Sequence, residues 1–95
     1  MVTKPTPRFA LGQLAATPGA LEALEKAGQS PAEFLSRHVN GDWGDVCAED
    51  KQLNDQALVD DSRLLSAYHT TAGVKLWVIT ENDRSVTTLL LPEEY

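Results

Sequence analysis

The sequence predicts a single α+β domain in which two to three short helices precede a three-stranded antiparallel meander. Two observations support this prediction. Before residue 63 the apolar residues recur at helical spacing, and after it they recur at every second position. The chain has 95 residues, which is enough for one hydrophobic core. We therefore expect one domain over residues 1–95, with residues 1–8 as a loose lead-in.

The N-terminal part predicts an edge strand and a first helix. Residues 9–14 alternate well enough for a short edge strand. Thr17 is a good N-cap, and Pro18 suits the first helical position, where its missing N–H costs nothing. Gly28 then ends this helix. Its predicted apolar face consists of Leu21, Leu24 and Ala27.

A second helix begins at the pattern of a capping box. Ser30 and Glu33 have the spacing at which a hydroxyl and a carboxylate each satisfy a free backbone N–H. Asn40 and Gly41 end this helix with a left-handed cap. Its predicted buried side consists of Phe34, Leu35 and His38 or Val39.

The loop 41–45 leads into a third helix that Asp45 can cap and that runs to about Leu58. The apolar stripe predicted for this helix contains Trp43, Val46, Cys47, Leu53 and Ala57. Trp43 is interpreted as a core plug, that is, a buried side chain that fills the core. The alternative is an exposed side chain that anchors a binding partner. Cys47 is interpreted as a small buried hydrophobic residue.

Three strands follow, at 63–69, 74–81 and 85–91, and all are rich in β-branched and aromatic residues. Their short connections predict an antiparallel meander.

In the middle strand, Leu76 and Val78 face one side while Trp77 and Ile79 face the other, which predicts a central position. The Trp77 side is a candidate interface for a partner or for a second copy, which would make a homodimer.

The charge distribution indicates where a partner would bind. Fourteen acidic residues against eight basic ones give a net charge of −6, and residues 42–61 contain seven acids and one lysine. The whole net charge thus lies in this stretch. It argues against a nucleic-acid groove or an anionic membrane as partner, and favours a protein that contacts 42–61 or the open sheet face. The candidate binding residues are Asp42, Trp43, Asp45, Glu49 and Trp77.

No strong catalytic or cofactor motif is present, so we expect no cofactor. The acidic stretch fits no calcium-loop spacing, which favours a solvated helix face or contact surface over a metal site. The single cysteine allows no intramolecular disulfide, and no apolar run is long enough to span a membrane. We expect a cytoplasmic protein. His69 is interpreted as an exposed residue at a strand end, with a catalytic role as the alternative.

Three stretches carry a resemblance to a known family: residues 11–21, His38 with 41–45, and 76–81 continuing into 83–92. They resemble a family of short uncharacterised bacterial proteins found on plasmids and integrated genomic islands and labelled only as plasmid-related. The resemblance covers nearly the whole chain. It implies an accessory role on mobile genetic elements and supplies no catalytic residues.

The order of helices followed by a meander is also similar to barnase-like and RelE-like ribonucleases. This resemblance implies a site on the sheet with a general acid, a general base, a phosphate-holding cation and a hydroxyl donor, at His69, Glu81, Arg84 and Thr87 respectively. Those toxins are usually basic, whereas this chain is acidic. The residues themselves predict that Glu81 and Arg84 form a cross-strand ion pair.

The sequence therefore favours a small acidic accessory protein of bacterial mobile elements that acts by protein–protein binding, as a regulator or an inhibitor. The alternative is a barnase-like or RelE-like ribonuclease or toxin with its site on the meander.

Overall fold

The computed structural model describes residues 8–95, so the predicted lead-in, apart from Arg8, lies outside the described residues. Four strands, three α-helices and one short 3-10 turn follow one another along the chain. In order they are β1 (Gln13–Ala16), α1 (Pro18–Ala27), α2 (Pro31–Val39), α3 (Ala48–Asp60), β2 (Leu64–His69), β3 (Lys75–Thr80), β4 (Val86–Leu90) and the turn Pro92–Glu94.

The four strands form one mixed sheet in the order β1-β4-β3-β2. β2, β3 and β4 are an antiparallel meander, and β1 pairs in parallel with β4, from Gln13 beside Val86 to Ala16 beside Leu89. The predicted α+β class and meander are confirmed, with β1 as the N-terminal edge strand and β3 in a central position. Parallel strands need a long connection between them, and the three helices that lie between β1 and the meander provide part of it.

The edge strand begins later than the predicted 9–14 because Gly12 has a positive φ of 68°. A Cβ at Gly12 would overlap the carbonyl oxygens of Arg84 and Ser85, so the chain passes β4 too closely there for any other residue. Phe9 and Leu11 therefore belong to a loop, and both pack against the core from it.

α1 has the predicted ends and a different buried face. The Thr17 hydroxyl accepts a hydrogen bond from the Ala20 N–H at 3.2 Å, and Gly28 ends the helix with a φ of 68°. Its buried side chains are Ala20, Ala23 and Leu24, whereas Leu21 is 49% exposed. The small alanines face inward because they let α1 approach the sheet closely.

The capping box predicted for α2 does not form. Ser30 occupies the N-cap without a side-chain hydrogen bond, and the Glu33 carboxylate accepts from the Gln29 side-chain amide at 2.6 Å. The helix still ends as predicted, with Gly41 at a φ of 84° and its N–H bonded to the His38 carbonyl.

α3 begins at Ala48, with Cys47 as its N-cap, and not at Asp45. The Asp45 carboxylate, which would cap the helix, instead lies 2.7 Å from His69 Nδ1. The backbone of residues 43–45 also pairs with Ala67 of β2, so it is not free to enter a helix. Three residues of the predicted apolar stripe, Trp43, Val46 and Ala57, do pack in the core. The prediction is wrong for the other two. Cys47 is exposed, Leu53 is 62% exposed, and the helix buries Asn54 together with Ala57.

The core has two clusters on the helix side of the sheet. The larger one joins α1 and α2 to the meander and contains Ala20, Leu24, Phe34, Leu35, Tyr68, Leu76, Val78 and Leu89. The smaller one lies under α3 and contains Trp43, Ala57 and Leu64, with Phe9, Val46 and Leu58 packed against it.

Candidate functional site

The acidic stretch of the sequence forms one surface, made of the loop 42–47 and the exposed side of α3, which we call the acidic face. The loop is held by backbone pairing with β2. The Ala67 N–H donates to the Trp43 carbonyl at 3.1 Å, and Gly44 forms an isolated parallel bridge with Ala67. A Cβ at Gly44 would overlap the Ala67 carbonyl oxygen, so only glycine allows this approach.

Two acids of the loop are held by side chains outside it. The Arg37 Nε donates to an Asp42 carboxylate oxygen at 2.7 Å, and His69 Nδ1 lies 2.7 Å from an Asp45 carboxylate oxygen. The bond from Arg37 lowers the pKa of Asp42, and the same bond raises the pKa of Arg37. These contacts fix the direction in which the loop carboxylates point.

Trp43 lies beneath the acidic face and is only 4% exposed, which confirms the interpretation as a core plug. Its ring stacks on Phe9 with centroids 6.2 Å apart and meets the His38 ring edge-on at 5.8 Å. Its indole N–H donates to the Asp55 carboxylate at 3.1 Å. Trp43 therefore links the loop to α3 and presents no surface to a partner.

An exposed stripe runs along α3. Glu49, Leu53, Gln56 and Asp60 follow one another at spacings of four, three and four residues, which places them on one side of the helix, and all four are exposed. Val59, next to the stripe, is 79% exposed. The acidic face thus combines carboxylates with two exposed apolar side chains.

The second face of the sheet carries the remaining candidate, Trp77. This ring is half-buried and meets Tyr95 edge-on, with centroids 5.9 Å apart. Arg63 donates to the Tyr95 hydroxyl and lies over the Tyr95 ring at 5.7 Å. The C-terminal residues therefore cover part of the face that the sequence left open, and no local pattern marks Tyr95 for this contact.

The four residues of the ribonuclease resemblance do not converge in one cleft. In the β2–β3 register, His69 lies opposite Lys75 and Leu64 lies opposite Thr80. Glu81 directly follows Thr80, so His69 and Glu81 lie at opposite ends of the sheet, separated by roughly 17 Å or more at about 3.3 Å per residue. Thr87 is fully buried.

The Arg84 side chain forms hydrogen bonds with backbone carbonyl groups. Its guanidinium donates to the carbonyl oxygens of Ser62 at 2.6 Å, Ala57 at 2.9 Å and Glu81 at 3.1 Å. The predicted ion pair with the Glu81 carboxylate is absent from the ion pairs of residues 8–95. The guanidinium is instead turned toward the end of α3.

A buried chain of hydrogen bonds surrounds His38, which has no exposed surface. The Leu11 carbonyl can only accept, so the Thr87 hydroxyl donates to it, at 2.7 Å. Thr87 therefore accepts from the Thr80 hydroxyl at 2.7 Å, and Thr80 accepts from His38 Nε2–H at 2.9 Å. His38 Nδ1 is left to accept from the Ser66 hydroxyl at 2.5 Å.

This order of donors places a proton on His38 Nε2. Near pH 7 the low pKa of the ring leaves Nδ1 without a proton, so His38 is a neutral imidazole. Burial is the main cause that lowers the pKa of His38, to about 4, and the positive charge of Arg84 adds to it. The rings of Phe9 and Trp43 cover the imidazole on the loop side. His38 thus holds the helix layer to the sheet.

Within residues 8–95, no group of three or more His, Cys, Asp or Glu side chains is arranged to hold a metal ion. None of the helices in that range has the length and apolar character needed to cross a membrane. The fold and the acidic face define an α+β domain with one strongly charged surface. In the comparisons made, the chain matches no protein family, curated protein or solved structure.

Proposed function

We propose that the protein is a protein-binding accessory module whose contact surface is the acidic face. The observation that carries the proposal is the concentration of charge, because residues 42–61 hold the entire net charge of −6. A local potential of this kind steers a partner of opposite charge and orients it on contact.

The composition of the face supports a protein partner. Interfaces between proteins combine an apolar centre with a polar rim, and on α3 the exposed Leu53 and Val59 lie among carboxylates. A basic protein surface with an apolar patch is the complementary partner. A metal ion would require converging carboxylates, whereas Asp42 and Asp45 are each bonded to a different basic side chain.

The loop supports the proposal through its rigidity. Backbone pairing with Ala67 and the burial of Trp43 hold it in one conformation before any partner arrives. A preorganised surface loses less conformational entropy on binding. The resemblance of the sequence to plasmid-related proteins supplies the setting, in which the module regulates or inhibits another protein encoded by a mobile element or by its host.

The experiment compares two variants with the same change in net charge. Glu49→Lys with Gln56→Lys alters the acidic face, and Glu25→Lys with Ser36→Lys alters exposed positions on α1 and α2. Each tagged protein is used to capture partners from a bacterial lysate at several salt concentrations. Circular dichroism verifies that both variants are folded.

We expect the wild type and the α1/α2 variant to retain the same partner, and salt to release it. The acidic-face variant should retain at least about tenfold less of it, because reversed charge repels a basic surface. Equal retention by both variants, or binding that salt does not weaken, would contradict the proposal.

A further inference from the structure

The two outer edges of the sheet, at β2 and at β1, differ in whether other parts of the chain form hydrogen bonds with them. At β2, the Asn54 side chain bonds both the N–H and the C=O of Leu65, at 3.1 and 2.7 Å. The loop 42–47 bonds both backbone groups of Ala67. The outer edge of β2 is therefore occupied by the chain itself. β1 lies at the other end of the strand order, and among residues 8–95 it has a neighbouring strand only on its β4 side.

The register of β1 shows which backbone groups remain free. Gln13 and Thr17 donate their N–H groups to Ser85 and Leu89 of the β4 side. Because consecutive residues of a strand point their backbone groups to alternate sides, those of Leu14 and Ala16 point away from β4. They form an unpaired edge within the described residues.

This edge is short, with four residues, but it lacks two other features that usually prevent pairing, namely charged side chains and proline. The sequence Gln13-Leu14-Ala15-Ala16 contains no charge and no proline. Leu14 is 59% exposed on the helix side of the sheet. Beside it lies an apolar groove of about 370 Å³, lined by Phe9, Ala10, Leu11, Gly12, Leu14 and Val39.

We propose that β1 pairs with β1 of a second copy of this chain, in antiparallel orientation about a two-fold axis through Ala15. In this register Leu14 and Ala16 of one copy exchange backbone hydrogen bonds with Ala16 and Leu14 of the other. Ala15 faces its own counterpart as the non-hydrogen-bonded pair, with Cα atoms about 4.5 Å apart. The two sheets then become one continuous sheet of eight strands.

The free backbone groups of Leu14 and Ala16 are symmetric about Ala15, so this edge is complementary to the same edge of a second copy. The charge distribution permits that copy to bind here. Two chains of net charge −6 repel one another, and the acidic face is the source of that charge. α3 lies along β2, at the opposite edge of the sheet from β1. Pairing through β1 therefore joins two uncharged edges and keeps the acidic faces at the two far ends of the dimer. The exposed Leu14 packs on the same side as Ala16 of the second copy.

The first experiment measures the mass of the protein in solution by sedimentation equilibrium over a range of concentrations. We expect a reversible dimer for the wild type. Leu14→Glu, which places carboxylates beside both edges, should raise the dissociation constant at least about tenfold. Leu53→Glu is the matched control, because Leu53 is a similarly exposed leucine on α3, and it should leave the dissociation constant unchanged.

The second experiment traps the predicted register. In a Cys47→Ser background, Ala15→Cys should form a disulfide-linked dimer under mild oxidation, because facing non-hydrogen-bonded residues bring their Cβ atoms within disulfide range. Leu53→Cys in the same background is the control and should remain monomeric under denaturing conditions. A wild type that stays monomeric at every concentration, a dimer that Leu14→Glu does not weaken, or a dimer that Ala15→Cys does not link would each overturn the proposal. None of these results bears on the acidic face.

Discussion

His38 is the titratable residue most strongly removed from water, and its burial makes the stability of the protein depend on pH. In the folded protein its pKa is about 4, against an ordinary value of 6.5. Between these values the unfolded chain binds a proton that the folded protein does not bind. Stability is therefore independent of this residue above pH 6.5, falls as the pH drops from 6.5 to 4, and loses about 3 kcal/mol in total.

Urea unfolding at several pH values across this window measures the effect. His38→Gln keeps a polar side chain that does not titrate, so we expect the variant to be less stable at neutral pH and to lose much less stability between pH 6.5 and 4. The pKa of Asp42 is lowered from 3.8, so its contribution is lost below the His38 window. An unchanged pH profile in the variant would contradict this assignment.

Arg84 combines an unfavourable backbone conformation with a favourable set of hydrogen bonds. Its φ is 60°, which costs most residues about 1 kcal/mol, and its guanidinium satisfies carbonyls at the end of α3. Arg84→Ala keeps the backbone cost and removes the bonds, so we expect a loss of about 1–3 kcal/mol.

Arg84→Gly separates the two effects, because glycine adopts this φ without strain. We expect the Arg84→Gly variant to be more stable than the Arg84→Ala variant by about 0.5–1 kcal/mol, because both lack the guanidinium and only the alanine variant keeps the backbone strain. Chemical denaturation of both variants provides the comparison. An Arg84→Ala protein as stable as the wild type would show that the guanidinium bonds contribute nothing.

α3 is attached to the sheet by a polar contact in addition to the apolar cluster that contains Ala57 and Leu64. Asn54 is buried and pairs with both backbone groups of Leu65, as a neighbouring strand would. Asn54→Asp replaces the donor to the Leu65 carbonyl with an acceptor. We expect a loss of about 1–3 kcal/mol and faster hydrogen exchange at Leu65.

Gln56→Glu makes the same change from amide to carboxylate at an exposed position of the same helix and serves as the control. It should leave both the unfolding free energy and the exchange at Leu65 close to the wild-type values. If both variants behaved alike, added negative charge on α3 would explain the effect, and the pairing with Leu65 would not.

The elements that could be predicted from the sequence are those whose signals are local. Thr17, Pro18 and Gly28 bound α1 because each acts on backbone groups within a few residues. The alternation after residue 63 likewise predicted the meander. By contrast, Asp45 failed as a cap because its carboxylate is bonded to His69, far along the chain. The apolar stripe of α3 was right only in part, because Asn54 contacts β2 and Leu53 is exposed.

In the candidate site, too, features set by local sequence could be predicted and contacts between distant residues could not. The concentration of acids in 42–61 and the burial of Trp43 follow from spacing and could be predicted. The partners of His38 could not, because Ser66 and Thr80 lie 28 and 42 residues further along the chain. Long-range contacts of this kind depend on strand register, which the sequence pattern leaves open.

The whole molecule places its two proposed interaction surfaces at opposite ends of one sheet. β1 and the acidic face are separated by β4 and β3, and the two core clusters between them keep this distance fixed. Phe9 lines the groove beside β1 and stacks on Trp43 beneath the acidic face, but none of the residues substituted below takes part in that contact. Changes at sites that share no partners add in free energy, so binding at one surface should leave the other unaffected.

This independence can be measured with the variants already described. Leu14→Glu should abolish the dimer and leave the salt-sensitive capture of the partner intact for each chain. The acidic-face variant, Glu49→Lys with Gln56→Lys, should lose the partner and keep the dimer dissociation constant of the wild type within about a factor of two. A dimer that weakens together with the acidic face would mean that the two surfaces overlap or that a change at α3 reaches β1 through the sheet. Hydrogen exchange at the β1 amides distinguishes these two explanations, because only the second one alters exchange in β1 of the monomeric protein.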